Sequence, residues 1–179
     1  MTEARAIYLI VCGASSARCA SDLIKALTQF ELPVMTVMTE SAQRILSPYN
    51  LADQPGHTLV DSYFDPVLLD GRAPCLTVVA PATFNTLNKI SHGIADTLAR
   101  SLIAEAIGAG WPVVVVPSMN MALASHPQVA PSIKTLLKWG VKVLEPKLDG
   151  DVLMMASVPE IVAAVKAKLG EAASNGETQ

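Results

Sequence analysis

Short apolar runs recur along the chain at intervals that leave room for a helix between them. Ala6–Val11, Pro33–Met38, Cys75–Ala80 and Val113–Val116 are nearly continuous rather than alternating, the pattern of strands covered on both faces, and Val141–Leu144 reads as a fifth short strand. Between them the apolar positions fall at helical spacing. Ala20, Leu23, Ile24 and Leu27 form one such set, and Ile94, Leu98, Leu102, Ile103 and Ala106 form another within a helix predicted over 93–107. Ile133, Leu136 and Leu137 mark a helix over 131–139, with Gly140 placed to stop it. Ser157-Val158-Pro159-Glu160 is a capping-box pattern opening a last helix that buries Ile161, Val162, Val165 and Leu169. This alternation predicts one α/β domain over 1–170, built as a Rossmann-like doubly wound parallel sheet. Residues 47–72, broken by Pro48, Pro55, Pro66 and Gly71, read as a long irregular connection, and 147–155 as a loop. The polar tail 171–179 reads as disordered.

The strand ends carry the chemistry. The central run continues into Pro81-Ala82-Thr83-Phe84-Asn85-Thr86, where Pro81 is expected to end the ladder because it has no N–H to donate. The first strand ends in Gly13-Ala14-Ser15-Ser16-Ala17, a turn of small residues that suits an anion and equally serves to make the turn tight. The second ends in Thr39-Glu40-Ser41-Ala42, where Ser41 reads as a helix cap or as a phosphate ligand. The fourth ends in Pro117-Ser118-Met119-Asn120-Met121; on their own the two methionines read as core filling. Taken together, several strand ends deliver short polar groups to one rim, where open α/β sheets bind ligands. Hydroxyls, amides and backbone N–H groups suit a planar, phosphate-bearing cofactor that brings its own reactivity.

Composition narrows the partners. The 13 basic and 16 acidic residues give a net charge of −3 with no Lys/Arg run, which argues against nucleic acid. The apolar runs are too short to span a bilayer. The start, Met1-Thr2-Glu3-Ala4-Arg5, lacks the layout of a signal peptide, so a cytoplasmic location without membrane attachment is expected. Cys12, Cys19 and Cys75 lack metal-ligand spacing, no metal site is expected, and Cys12 and Cys75 read as small hydrophobes. His57 alone in the irregular connection reads as a solvated side chain, as do Lys89 and Asp96. Cys-x-x-Cys, Walker and Gly-x-Ser-x-Gly patterns do not occur.

Pro81-Ala82-Thr83-Phe84-Asn85-Thr86, with Lys89 and Gly93-Ile94-Ala95-Asp96 beyond it, resembles the PASANT motif of the homo-oligomeric flavin-containing cysteine decarboxylases. Pro117-Ser118-Met119-Asn120 resembles the first half of that family's PxMNxxMW motif, and Val37-Met38-Thr39 with Ala42 its second strand end. The resemblance extends to about Leu169. It implies a flavodoxin-like flavoprotein subunit that binds FMN, assembles as a homotrimer or homododecamer, and decarboxylates a cysteine oxidatively through a thioaldehyde to an enethiolate. By matching position, Gly13, Ser15 and Ser16 would lie near the FMN phosphate, with Thr39 and Ser41 close by. Ala82, Thr83, Asn85 and Thr86 would line the flavin. Asn120 would bind the substrate carboxylate, with Met121 beside it.

The chain departs from the family in three places. Leu123-Ala124 replaces the Met-Trp pair, and Asp65-Pro66-Val67-Leu68-Leu69-Asp70 has no histidine where the family carries its catalytic one, which leaves His57 as the substitute from elsewhere in the connection. Near 148–157 there is no cysteine, whereas the coenzyme A branch uses an Ala-Cys-Gly loop to re-reduce its product. The resulting expectation is an FMN-dependent oxidative decarboxylase of a C-terminal cysteine on a ribosomal precursor peptide, in peptide natural-product biosynthesis, giving an aminoenethiol. The alternatives are a phosphopantothenoylcysteine decarboxylase, a non-catalytic flavin-binding regulatory subunit, and, more distantly, a flavin prenyltransferase.

Overall fold

A computed structural model describes residues 5–69 and 74–176; the expectations for the extreme N-terminus, for 70–73 and for 177–179 lie outside the described residues. The continuous apolar runs become strands whose every residue is buried: β1 (Ala6–Val11), β2 (Val34–Met38), β4 (Pro74–Ala82) and β5 (Val113–Pro117). The remaining strands are β3 (His57–Leu59), β6 (Met119–Asn120), β7 (Lys142–Val143), β8 (Lys147–Asp149) and β9 (Val152–Met154). Six of them form a parallel sheet in the order β3-β2-β1-β4-β5-β7, which bears out the doubly wound α/β fold.

Alternate residues of β1 face opposite layers. Ile7, Leu9 and Val11 join a cluster with Leu23, Ile24 and Leu27 of α1 (Ala20–Thr28) and Ile161 and Val165 of α9 (Val158–Gly176). Tyr8 and Ile10 face the other layer, with Leu87 and Ile90 of α5 (Phe84–Ser91), Ile103 of α6 (Leu98–Gly108) and Leu136 of α8 (Val129–Lys138). Truncating one of the fully buried leucines, such as Leu9 or Leu87, to alanine would cost about 2–5 kcal/mol. Single-turn helices α2 (Glu40–Gln43), α3 (Tyr49–Ala52), α4 (Pro66–Leu69) and α7 (Met121–Ala124) sit in the connections.

The chain winds from β1 to β2 and β3 on one side, then returns to place β4 on the other side of β1. The carboxyl ends of β1 and β4 therefore lead their connections in opposite directions and leave a crevice between them.

Several expectations are corrected. Pro81 does not end the ladder: its carbonyl accepts from the Cys12 N–H (3.2 Å), and the Ala82 carbonyl accepts from the Ser118 N–H (2.9 Å). Proline removes a donor but keeps its acceptor. The helix expected from Gly93 begins at Leu98, capped by Thr97, because Gly93 has φ +68° and closes off α5 instead. The irregular connection contains the edge strand β3, too short to leave a pattern. The expected loop 147–155 is the hairpin β8–β9, which pairs with β6 in a three-stranded antiparallel sheet. The polar segment from Glu171 continues α9 to Gly176, where Ala172 and Ala173 favour helix. Among the described residues no helix is long and apolar enough to cross a membrane.

Candidate functional site

A cleft of about 460 Å³ opens at the carboxyl rim of the sheet, over the crevice between β1 and β4. Its first wall depends on a glycine. A Cβ on Gly13 would lie 2.4 Å from the Ser41 Cβ and 2.8 Å from the Ser41 carbonyl carbon, so only glycine lets the turn after β1 meet the start of α2. Thr39 holds that start in place: its N–H donates to the Val11 carbonyl (3.0 Å), and its hydroxyl accepts from the Ala42 N–H (3.3 Å). Thr39, rather than Ser41, is thus the cap, which leaves the exposed Ser41 side chain on the cleft wall.

The floor comes from the end of β4. Thr83 caps α5 by accepting from the Thr86 N–H (3.3 Å), and its hydroxyl donates to the Thr86 Oγ1 (3.2 Å). The Thr86 hydroxyl in turn donates to the Cys12 Sγ (3.3 Å). Burial pushes the Cys12 thiol above its ordinary range despite that hydrogen bond, so it stays a neutral packing group. Asn85, between the two threonines, is exposed in the cleft.

The far wall follows β5. Asn120 caps α7 through its Oδ1, which accepts from the Leu123 N–H (2.9 Å), so its amide NH₂ is the part left to meet a ligand. Leu123 and, from β9, Val152 add apolar surface beside it.

Eight of the residues expected at a site from the sequence line this one cleft: Gly13, Ser15, Thr39, Ser41, Thr83, Asn85, Thr86 and Asn120. Four do not. Ser16 is turned inward by a 3₁₀ turn over Ser15–Cys19, and its Oγ lies 3.0 Å from the buried Ser118 Oγ. Ala82 is fully buried behind the floor, where its carbonyl is used by Ser118. Met121 is outside the wall, its N–H donating to the Asp151 carbonyl (2.8 Å). His57 lies at the opposite edge of the sheet, paired with Val34 at the amino end of β2. Its Nδ1 meets the Thr36 hydroxyl (3.0 Å) and its Nε2 the Leu51 carbonyl (2.7 Å), so both ring nitrogens serve the fold. No histidine lines the cleft among the described residues.

Sequence reasoning missed Arg100. It is 8% exposed on the first turn of α6, and among the described lining residues it is the one ionisable side chain. Its Nε donates to the Asp96 Oδ1 (2.5 Å), and Asp96 also accepts from the Lys89 Nζ (2.5 Å). The Lys89 ammonium, aided by Arg100, holds the Asp96 carboxyl below the usual range. The signal was an arginine on a mostly apolar helix, four residues after an aspartate.

Comparison with known proteins agrees with this geometry. The family described as Flavoprotein matches residues 1–170. The chain is similar to the coenzyme A biosynthesis bifunctional protein CoaBC of Thermococcus kodakarensis, 32% identical over 91% of this chain and 42% of that protein. It therefore spans less than half the length of that relative. It is 31% identical to a probable phosphopantothenoylcysteine decarboxylase of Streptococcus mutans over 79% of this chain and 82% of that one. Among solved structures, the FMN-dependent cysteine decarboxylase SpaF superposes with a TM-score of 0.79 at 28% identity, over 96% of this chain and 98% of its own. The sheet, the cleft at its reversal point and these likenesses lead to one conclusion: the chain belongs to the Flavoprotein family.

Proposed function

We propose that this chain binds FMN in the cleft between β1 and β4 and decarboxylates a cysteine carboxyl oxidatively, with a peptide's C-terminal cysteine as substrate. The residues present fit the cofactor. Ser41 leaves the Gly13 turn no room for a side chain, neutral hydroxyls and a buried guanidinium line the cleft, and its volume of about 460 Å³ is of the size small-ligand sites adopt. The chemistry a bound flavin supplies is acceptance of two electrons from the cysteine Cα–Cβ–S unit, which turns the carboxylate into a leaving group.

The chain's own groups account for binding and orientation. The Asn120 amide NH₂ would donate to the substrate carboxylate while its oxygen stays engaged at the cap. Stripping water from a carboxylate costs several kcal/mol, roughly, unless such donors replace it, and donors fixed in place lose nothing in reorganisation. Val152 and Leu123 give that side of the cleft an apolar surface against which a bound substrate would pack.

The observation that carries the peptide reading is the composition of the hairpin. β8–β9 pairs with the strand bearing Asn120 and places Val152 in the wall, yet 147–154 holds no thiol; Cys12 and Cys75 are buried within strand regions and Cys19 sits before α1. With no thiol to return electrons, the oxidised enethiol is the product released, and turnover requires an external oxidant, which dioxygen supplies in air. Incubating the FMN-loaded protein in air with peptides ending in cysteine should remove about 46 mass units, CO₂ and two hydrogens. A second reading, phosphopantothenoylcysteine decarboxylation, is favoured by the curated relatives and is separated by the same assay on that substrate. A protein that holds flavin but turns over neither substrate would instead be a binding or regulatory subunit.

A further inference from the structure

We propose that Arg100 makes the cleft selective for a phosphorylated flavin, its guanidinium receiving the phosphate; this rests on the flavin reading above. Three observations converge. The first is burial without full pairing: Arg100 is 8% exposed, its Nε is bonded to Asp96, and its two terminal nitrogens have no hydrogen-bond partner among the described residues. The body of the side chain is withdrawn from bulk water while its terminal donors stay open to the cavity, where weaker screening strengthens their attraction for an anion.

The second is charge. Asp96 is shared between Lys89 and Arg100, so the cluster of two cations and one carboxylate carries a net +1, and Arg100 is its member on the cleft wall. The other described lining side chains are uncharged at neutral pH. The Asp96 contact at Nε also fixes the plane of the guanidinium and leaves the terminal fork, the part that grips phosphate bidentately, for a ligand.

The third is position. A side groove of about 240 Å³ adjoins the cleft, and Thr39, Ser41, Asn85 and Arg100 line both. Arg100 is therefore grouped with the hydroxyl-bearing segment that packs on the Gly13 turn, whereas Asn120, the amide suited to a substrate carboxylate, does not border the groove. On the groove side the wall includes Glu40 and Asp61, which repel an anion toward the cleft. A phosphate monoester has the oxygens to accept from the fork and from neighbouring hydroxyls together.

The test is a titration of the full-length chain, freed of flavin, with FMN and with riboflavin, followed by quenching of flavin fluorescence. Wild type should bind FMN more tightly than riboflavin. Arg100→Gln should weaken FMN by about 10- to 100-fold and leave riboflavin binding unchanged, the size expected for losing a charge-assisted pair. Riboflavin binding by the variant reports that the cleft is still formed. If Arg100→Gln binds neither flavin, Arg100→Lys, which keeps the charge and loses the fork, decides: an FMN-to-riboflavin ratio below wild type supports the assignment, and the wild-type ratio overturns it. An unchanged ratio in Arg100→Gln overturns this assignment alone, whereas a wild type that binds neither flavin overturns the flavin reading with it.

Discussion

Asn120 divides its amide between two tasks: the oxygen caps α7 and the nitrogen is left to the cleft. That division gives a clean substitution. Asn120→Asp keeps the cap, since aspartate serves there as well as asparagine, but replaces two donors with a negative charge facing a substrate carboxylate. On the proposed chemistry, kcat/KM should fall about 100-fold or more while bound flavin and melting temperature stay near wild type. A variant that keeps its activity would remove Asn120 from substrate binding. Residues at this scale were unequally legible in the sequence. Gly13, Thr83, Asn85 and Asn120 could be read because they lie within three residues of the carboxyl ends of β1, β4 and β5, where the direction of the chain decides what reaches the rim. Ser16 and Ala82 could not, because one 3₁₀ turn and one extra ladder position put them behind the wall. Arg100 was hidden by a helix start placed too early, which disguised its capping-turn position.

Among the elements, α9 and the β8–β9 hairpin are joined by one side chain. Glu160 accepts from the Ser157 N–H (2.8 Å) and from the Lys147 Nζ (2.8 Å), so the predicted capping box also anchors the first residue of β8. The Lys147 ammonium, followed by Ser157, lowers the Glu160 carboxyl from 4.5 to about 2. In that interval the unfolded chain binds the proton that the folded chain refuses, so the contribution is complete above 4.5 and is lost as pH falls toward 2. Urea midpoints for wild type and Glu160→Gln should therefore differ at about pH 6 and converge as pH drops through that window. A gap that does not change with pH would contradict the pairing. Long elements such as α1, α9 and the buried strands were readable because a repeated pattern accumulates over many residues. The three-residue strands β3, β8 and β9 offer no such repetition, and partners distant in sequence create them.

For the whole molecule, the reversal of strand order between β1 and β4 is what makes a site possible, because it parts two connections over a gap that no side chain fills. The rest of the account follows from what borders that gap: a turn too tight for a Cβ, hydroxyls at two helix starts, two amides, and one buried cation. Assembly as a trimer or dodecamer remains a proposal drawn from the family resemblance, and the mass in sedimentation should be a multiple of three chains. The measurement that bears most directly on the central claim is a structure of the chain crystallised with FMN. The account predicts the phosphate against the Gly13 turn, Ser41 and Arg100, with the ring system reaching Asn85 and Asn120. Flavin seated elsewhere, such as the groove beside His57 at the opposite edge, or no flavin retained, would contradict it.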